Sequence, residues 1–450
     1  MKYKTQCLED ELYQLMEELY PLCRSITGEG VRETLKILRR YIPIELKEVS
    51  SGTVVYDWTV PKEWKIRGAW IKYENEERHI IDFENTNLHI MSYSRPVHMK
   101  MTFKELDKHL YYIEDHPDWI PYLTTYYNDN WGICMSYNHY MSLDRNKTYE
   151  VCIDSELMDG FLTYGELLIQ GRTKDEFLIS TYLCHPSLCN DNLSGIVVST
   201  YLSKILMEQE NLKYSYRFVF VPETIGAITW LALNEGVWCN IKFGLVATCL
   251  GDRNRFCYKK SRNGNEIIDK ATIQALKELR FPYKEMDYYP GGSDERQYGS
   301  LGINIPVGSL TRGLYVTDHI PPQPFEEYHS SADNLEFISR KALNESLNVY
   351  LKVVHIIENN QTYISMNPKC EPCLGKRGLY SKVGSQKMAS NRDVSMRYLM
   401  CYSDGKHDLI DIANMLHVSF DDICDFAKML EETGLLRVFG MSENEGGFMK

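Results

Sequence analysis

The sequence predicts an α/β protein carrying an inserted, mainly β segment and a small C-terminal winged-helix unit. Three observations lead there. Strand-like and helix-like runs alternate from about residue 163 to 355, the texture that places helices on the faces of a sheet. Residues from about 50 to 160 are instead dense in Tyr and Trp and cut by Gly and Pro. Beyond 390 the chain reads as three short helices closed by an apolar strand. At 450 residues it exceeds the roughly 250–300 that one core serves, so several domains are expected. We place them at 1–50 with 160–365, at 51–159 and at 375–450.

Taken in order, Leu8, Leu12, Leu15, Leu19 and Leu22 recur at helical spacing before the glycines of "SITGEG", which suit a helix stop. "GVRETLKILRRYI" predicts a second helix. In the aromatic stretch, "TVVYDWTV", "GAWIKY", "HIIDF" and "WGICMSY" predict short strands, and "TFKELDKHLYYI" predicts a helix. Then come strand "FLISTYL", helix "GIVVSTYLSKILMEQE", strand "YRFVFV", helix "AITWLALNEG" and strand "FGLVATCL". "NPKCEPCLGKRGLY" breaks the pattern and predicts a linker.

A net charge of −12 argues against nonspecific binding to nucleic acid or an anionic membrane surface. The start lacks the apolar run and small-residue cleavage site of a signal peptide, and no later run reaches the ~20 apolar residues that span a bilayer. With thirteen cysteines, an odd number scattered along a long chain, reduced thiols and a cytoplasmic location are expected. In the winged-helix region acidic residues outnumber basic ones, the reverse of a DNA-reading module. That region is expected to serve interaction, self-association or gating.

Three of the apolar strands run into His185, Glu223 and Asp252. In open α/β sheets the ligand crevice lies at the carboxyl ends of the strands, so these residues could converge there. Asp191 in "CNDNLSG" precedes a helix, where it could cap or bind metal. His329 in "YHSSADNLEF" is free to face a site, while Asp333 suits an N-cap. Cys184 adjoins His185, but neighbours on a strand point to opposite faces, which argues against a thiol–imidazole pair. Ser194 lacks the G-x-S-x-G elbow, and the single C-x-x-C at 370–373 lacks the four ligands of a structural zinc. Arg262 in "SRNGNEIIDKA" could cradle a substrate carboxylate or sit in a solvated turn. The aromatic run "PDWIPYLTTYYNDNWG" could line a sugar-binding surface or belong to a core.

"CHPSLCNDNLSG", "VPETIG", "GGSDERQYGSLGINIP" and "YHSSADNLEFI" occur in the order of the motifs of the zinc-dependent exopeptidase superfamily. The chain resembles most closely an uncharacterised aminopeptidase-like family with an inserted β-rich domain and a C-terminal winged helix, associated with bacterial polysaccharide loci. "LYPLCRSITGEGVR", "DWTVPKEW", "NLHIMSYS" and "LGKRGLY" extend the resemblance over nearly the whole chain. It implies a three-layer αβα zinc-exopeptidase-like domain with a mixed sheet. It also implies His185, Asp191 and His329 as zinc ligands, Glu223 as the general base for the attacking water, and Asp294 beside the substrate.

Two positions depart from the superfamily. Thr224 stands where the second carboxylate of a Glu-Glu pair is usual, and the register of another aspartate falls on Thr248, with Cys249 next and Asp252 four residues beyond it. One zinc on His185, Asp191 and His329 is therefore expected, two being the alternative, with Asp252 or Cys249 the candidate substitute for that aspartate. The implied function is a zinc-dependent amide hydrolase of aminopeptidase type, acting on a small peptide or amino-sugar conjugate. The alternative is a catalytically weak metal-binding scaffold in polysaccharide assembly, which the threonine at 224 favours.

Overall fold

The computed structural model describes residues 4–314, 324–379 and 391–440. They fall into two compact units, one of 4–268 with 281–350 and the other of 269–280 with 351 onward.

The first unit is built on an eight-stranded sheet in the order Glu45–Ser50, Phe161–Ile169, Ser215–Val221, Glu176–Tyr182, Ile241–Ala247, Val307–Arg312, Phe256–Lys259, Tyr283–Met286. The four central strands run parallel, and the pairings of Phe161–Ile169 and Phe256–Lys259 onto them are antiparallel, so the sheet is mixed. Glu176–Tyr182 and Ser215–Val221 are buried at every position, which is why they read as near-continuous apolar runs. Helix Ser194–Met207 packs against this sheet and is buried at all but its last exposed positions, whereas Glu9–Leu19 buries only the Leu12, Leu15, Met16, Leu19 stripe. The expected α/β core is thus present.

The aromatic stretch forms a separate four-stranded antiparallel sheet, ordered His79–Asp82, Glu63–Tyr73, Thr148–Met158, Val97–Thr102. Its inner face buries Trp64, Ile71, Tyr149, Val151 and Ile153. "TVVYDWTV" is not one strand: Val54–Val55 turns back onto Trp58–Thr59, with Tyr56 at φ 54° in the turn. "TFKELDKHLYYI" is helical only over Phe103–Leu106, begun by a Thr102–Glu105 capping box. A 3-10 turn follows, and Leu110, needed in the core, extends to pair with Ile133. A short helix at Tyr137–Ser142, N-capped by Ser136, was not legible in the sequence periodicity.

In the second unit, helices Asn391–Tyr402, Leu409–Leu416 and Phe420–Glu432 accompany a three-stranded sheet of Thr362–Ser365, Asp404–Asp408 and Leu436–Val438. This is the expected winged helix, and its strand Thr362–Ser365 lies N-terminal to "NPKCEPCLGKRGLY". Residues 380–390 and 441–450 of the expected 375–450 unit lie outside the described residues.

In DNA-reading winged helices the start of the third helix enters the groove. Here that turn is engaged within its own unit. Phe420 N–H donates to the Glu278 carboxylate, and Asp421 lies 2.9 Å from Lys352 Nζ and 2.5 Å from His355 Nε2. The hydrogen bond from His355, aided by Lys352 and against the cost of burial, holds the Asp421 carboxyl well below the usual carboxylate range. The resulting stability is present above the ordinary carboxylate pKa and is lost as pH falls below it. Because Asp421 is half exposed, Asp421→Ala is expected to cost only roughly 1 kcal/mol near neutral pH, read as a lower melting temperature, with the difference from wild type shrinking in acid.

Candidate metal centre and active site

Strand Glu176–Tyr182 ends two residues before Cys184, and the chain then leaves the sheet through a loop that reaches helix Ser194–Met207. His185 and Asp191 sit on this loop. Asp191 makes no capping bond to that helix, whose start has no side-chain cap. Its carboxylate instead faces two imidazoles. Asp191 Oδ2 lies 2.9 Å from His329 Nε2 and 3.8 Å from His185 Nε2, and one ligand atom of each residue falls within 4.8 Å of the others.

The loop is pinned from several sides. Asp333, expected as a helix N-cap, instead accepts the backbone N–H groups of Asn190 at 2.6 Å and Asp191 at 2.9 Å. Asn190 Oδ1 accepts from Gly251 N–H, and Asn192 bridges Thr181 and Tyr182 to Cys249. Gly195 lies so close to the next strand that a Cβ would stand 2.2 Å from the Ala247 carbonyl oxygen, which explains the glycine of "NLSG". Beneath His185, the fully buried Arg24 donates to its carbonyl at 2.9 Å. His329 is set by the inserted segment: Tyr122 N–H donates to the His329 carbonyl at 2.7 Å, and Ile120 and Ser331 exchange hydrogen bonds.

Electrostatics keep the donors in metal-binding form. Burial, reinforced by His329 and Arg24, lowers His185 to about 4, so its imidazole is neutral near pH 7. Burial works to raise Asp191, but the two histidines and the Tyr182 hydroxyl outweigh it and leave the carboxylate ionised, at about 2. Asp191 Oδ2 and His329 Nε2 are buried without a hydrogen-bond partner despite facing each other. Two imidazoles, one carboxylate and orphaned donor atoms turned to a common point fit a zinc-class cation. The other oxygen, Asp191 Oδ1, accepts from the Tyr182 hydroxyl, which lies 2.7 Å from Thr248 Oγ1.

Glu223 lies on the turn after strand Ser215–Val221, and its ligand atom falls within 4.8 Å of those of Cys184 and His185. Burial, then Asp294 and Asp191, raise its carboxyl well above the ordinary value. The turn is strained, with Thr224 at φ 62°, a region β-branched residues avoid. Two contacts hold it: Thr224 N–H donates to Asp294 Oδ1 at 2.7 Å, and Arg296 donates to Thr224 Oγ1 at 3.0 Å. Burial lifts the Asp294 carboxyl to about 7. Glu223 lines two cavities, one of about 300 Å³ beside His185 and His329 and one of about 240 Å³ beside Tyr182 and Ser293.

His185, Asp191, His329 and Glu223 therefore meet, with Asp294 supporting Glu223. Asp252 joins neither metal-competent group among the described residues. Its Oδ1 accepts from Asn254 N–H at 2.8 Å, and its Oδ2 fills the space a Cβ on Gly313 would need. Arg262 is exposed, donates to the Gly299 carbonyl, and lines neither cavity. The expectation that Cys184 and His185 diverge is also corrected: the strand stops at Tyr182, alternation no longer applies, and Cys184 Sγ lies 3.3 Å from His185 Nδ1. Burial and Glu223 keep that thiol protonated, which removes the thiolate that nucleophilic chemistry needs. The roles of Arg24, Tyr122 and Asp333 escaped the sequence reading because each acts across a long chain separation, and that of Tyr182, nine residues from Asp191, because the loop between them folds back.

A profile described as a domain of unknown function (DUF4910) matches residues 13–360, and a winged helix-turn-helix profile matches 361–438. A protein of Clostridium acetobutylicum, provisionally named a polysaccharide biosynthesis protein with aminopeptidase-like domain, is 49% identical over 428 residues, covering 95% of this chain and 96% of that one. A crystal structure from the same organism, provisionally named a peptidase, superposes with a TM-score of 0.87 at 47% identity, covering 96% of each chain. BSAP, a zinc aminopeptidase from Bacillus subtilis, superposes with a TM-score of 0.57 at 11% identity, covering 79% of this chain and 96% of that one. That last likeness is one of fold.

Asp333→Ala would leave the Asn190 and Asp191 N–H groups buried and unpaired, at about 1–3 kcal/mol each. It is expected to lower stability by roughly that sum and to release bound metal, whereas Asp333→Asn, retaining one acceptor oxygen, keeps more of both. Denaturant titration with metal analysis reads the two effects.

Proposed function

The chain belongs to the DUF4910 family, a domain of unknown function, and on that premise we propose that it is a metal-dependent amide hydrolase of aminopeptidase type. The observation that carries this reading is the meeting of His185, Asp191 and His329, with orphaned donor atoms, beside a buried Glu223 that opens onto two cavities. His185, Asp191 and His329 would hold one zinc ion. Zinc in such a site supplies Lewis-acid polarisation of a carbonyl and makes water more acidic.

The chain's own residues do the rest. Glu223, whose proton affinity is raised by burial and by Asp294 and Asp191, takes a proton from the attacking water and delivers it to the departing amine nitrogen. Asp294 and Arg296 hold the strained Thr224 turn, which fixes Glu223 toward the cluster. The two cavities flanking Glu223 would receive the two sides of the scissile amide. One ion is favoured over two because Tyr182 occupies Asp191 Oδ1 and Arg296 engages the Thr224 hydroxyl. The name of the Clostridium relative supports a peptide or amino-sugar conjugate of polysaccharide biosynthesis as substrate. Among the described residues no helix is long and apolar enough to cross a membrane.

A second reading, a metal-binding scaffold with little activity, is favoured by the absence of carboxylates at Thr224 and Thr248. Hydrolysis of chromogenic aminoacyl amides separates the two. The wild type is expected to turn them over and Glu223→Gln to lose about 10²–10⁴-fold in rate, with zinc retained. Activity that persists in Glu223→Gln overturns the base assignment. Unchanged zinc in a His185→Ala/His329→Ala double variant overturns the metal site.

A further inference from the structure

The cavity of about 300 Å³ beside the metal cluster has one wall that the aminopeptidase reading does not use. Trp58, Tyr122, Thr124, Tyr126 and Tyr127 all come from the inserted segment, and His185, Glu223 and His329 line the same cavity. Tyr122 is buried, its ring 5.1 Å from the ring centroids of both histidines, and its hydroxyl lies 3.2 Å from that of Tyr126. Trp58 and Tyr127 stand at the mouth, 39% and 51% exposed. Their centroids are 5.6 Å apart at 67°, an edge-to-face arrangement of the two rings.

Tyr127 holds its place at φ 62° and Tyr56, in the hairpin that presents Trp58, at φ 54°, backbone settings at which glycine or asparagine would be unstrained. The lining contains no lysine or arginine among the described residues. Ile26 and Ile225 also line the cavity, and Thr124, Tyr122 and Tyr126 add hydroxyls to a mainly apolar surface. Such a surface suits a ligand that is itself two-faced, with flat C–H faces for the rings and hydroxyls for the rim. A pyranose ring has that chemistry, and the cavity, at the small end of ligand pockets, has room for a single ring rather than a chain.

We propose that this aromatic cavity is a glycosyl subsite that takes one uncharged pyranose ring, stacked on Trp58 and Tyr127, with its amide substituent directed at Glu223. The inference rests on the hydrolase reading for what is done to the sugar, not for its binding. The amide of an N-acylated or peptide-linked amino sugar would be cleaved with addition of water, the acyl carbon taking hydroxide and the sugar nitrogen the proton.

Saturation-transfer NMR on the full-length, zinc-loaded protein tests binding without turnover, with N-acetylglucosamine, N-acetylgalactosamine and glucose as probes and phenylalaninamide and cyclohexanol as competitors. At least one sugar is expected to saturate through its ring C–H protons. Trp58→Ala or Tyr127→Ala, both exposed and tolerant of truncation, should weaken it about tenfold, the worth of one ring contact. No saturation from any of these sugars, or saturation unchanged in both variants, overturns the proposal. Sugar binding without amide hydrolysis would remove the enzymatic reading and keep the subsite; hydrolysis of aminoacyl amides that no sugar inhibits would do the reverse.

Discussion

The arrangement depends on the buried carboxyl group of Asp333, which burial raises to about 8. By accepting the N–H groups of Asn190 and Asp191 it turns the loop after the central strand so that Asp191 faces His329 rather than capping the following helix. Asp333 lies four residues after His329 in the chain, so the segment that fixes the first half of the cluster also delivers the second. A loop leaving a sheet must satisfy its own backbone polar groups, and here one stretch of chain meets that requirement and brings His329 to Asp191.

The inserted segment is part of the centre. Its backbone pairs with the His329 loop at Ile120 and Tyr122, its Tyr122 ring contacts both histidines, and its aromatic residues wall the cavity opposite Glu223. The α/β sheet supplies donors at its strand ends, as such sheets do. The shape of the space in front of them is decided by the insertion, which is where substrate selection would reside.

Thr224 and Thr248, where the resemblance leads one to expect carboxylates, are engaged by other groups. Thr248 supports the Tyr182 hydroxyl that satisfies one oxygen of Asp191, and Thr224 is engaged by Arg296. Groups that could have bound a second ion are thus tied into the protein's own hydrogen bonding. Buried polar atoms need partners, and neighbouring side chains provide them here.

The sequence by itself determined the mixed α/β core, the β-rich aromatic segment and the winged helix, because buried strands and amphipathic helices leave local patterns, and its ordered motifs offered His185, Asp191, Glu223 and His329 as candidates. It misjudged "TVVYDWTV", which is a hairpin, and the divergence of Cys184 from His185, because both depended on where a strand stops. Asp252 looked equivalent to His185 and Glu223 as a strand-end acid, yet its carboxylate serves a turn and Gly313. Only the tertiary structure decided that difference, together with the roles of Arg24, Tyr182 and Asp333. The partners of Arg24 and Asp333 lie across long separations in the chain, and the direction of a side chain at a strand end is set by what packs against it.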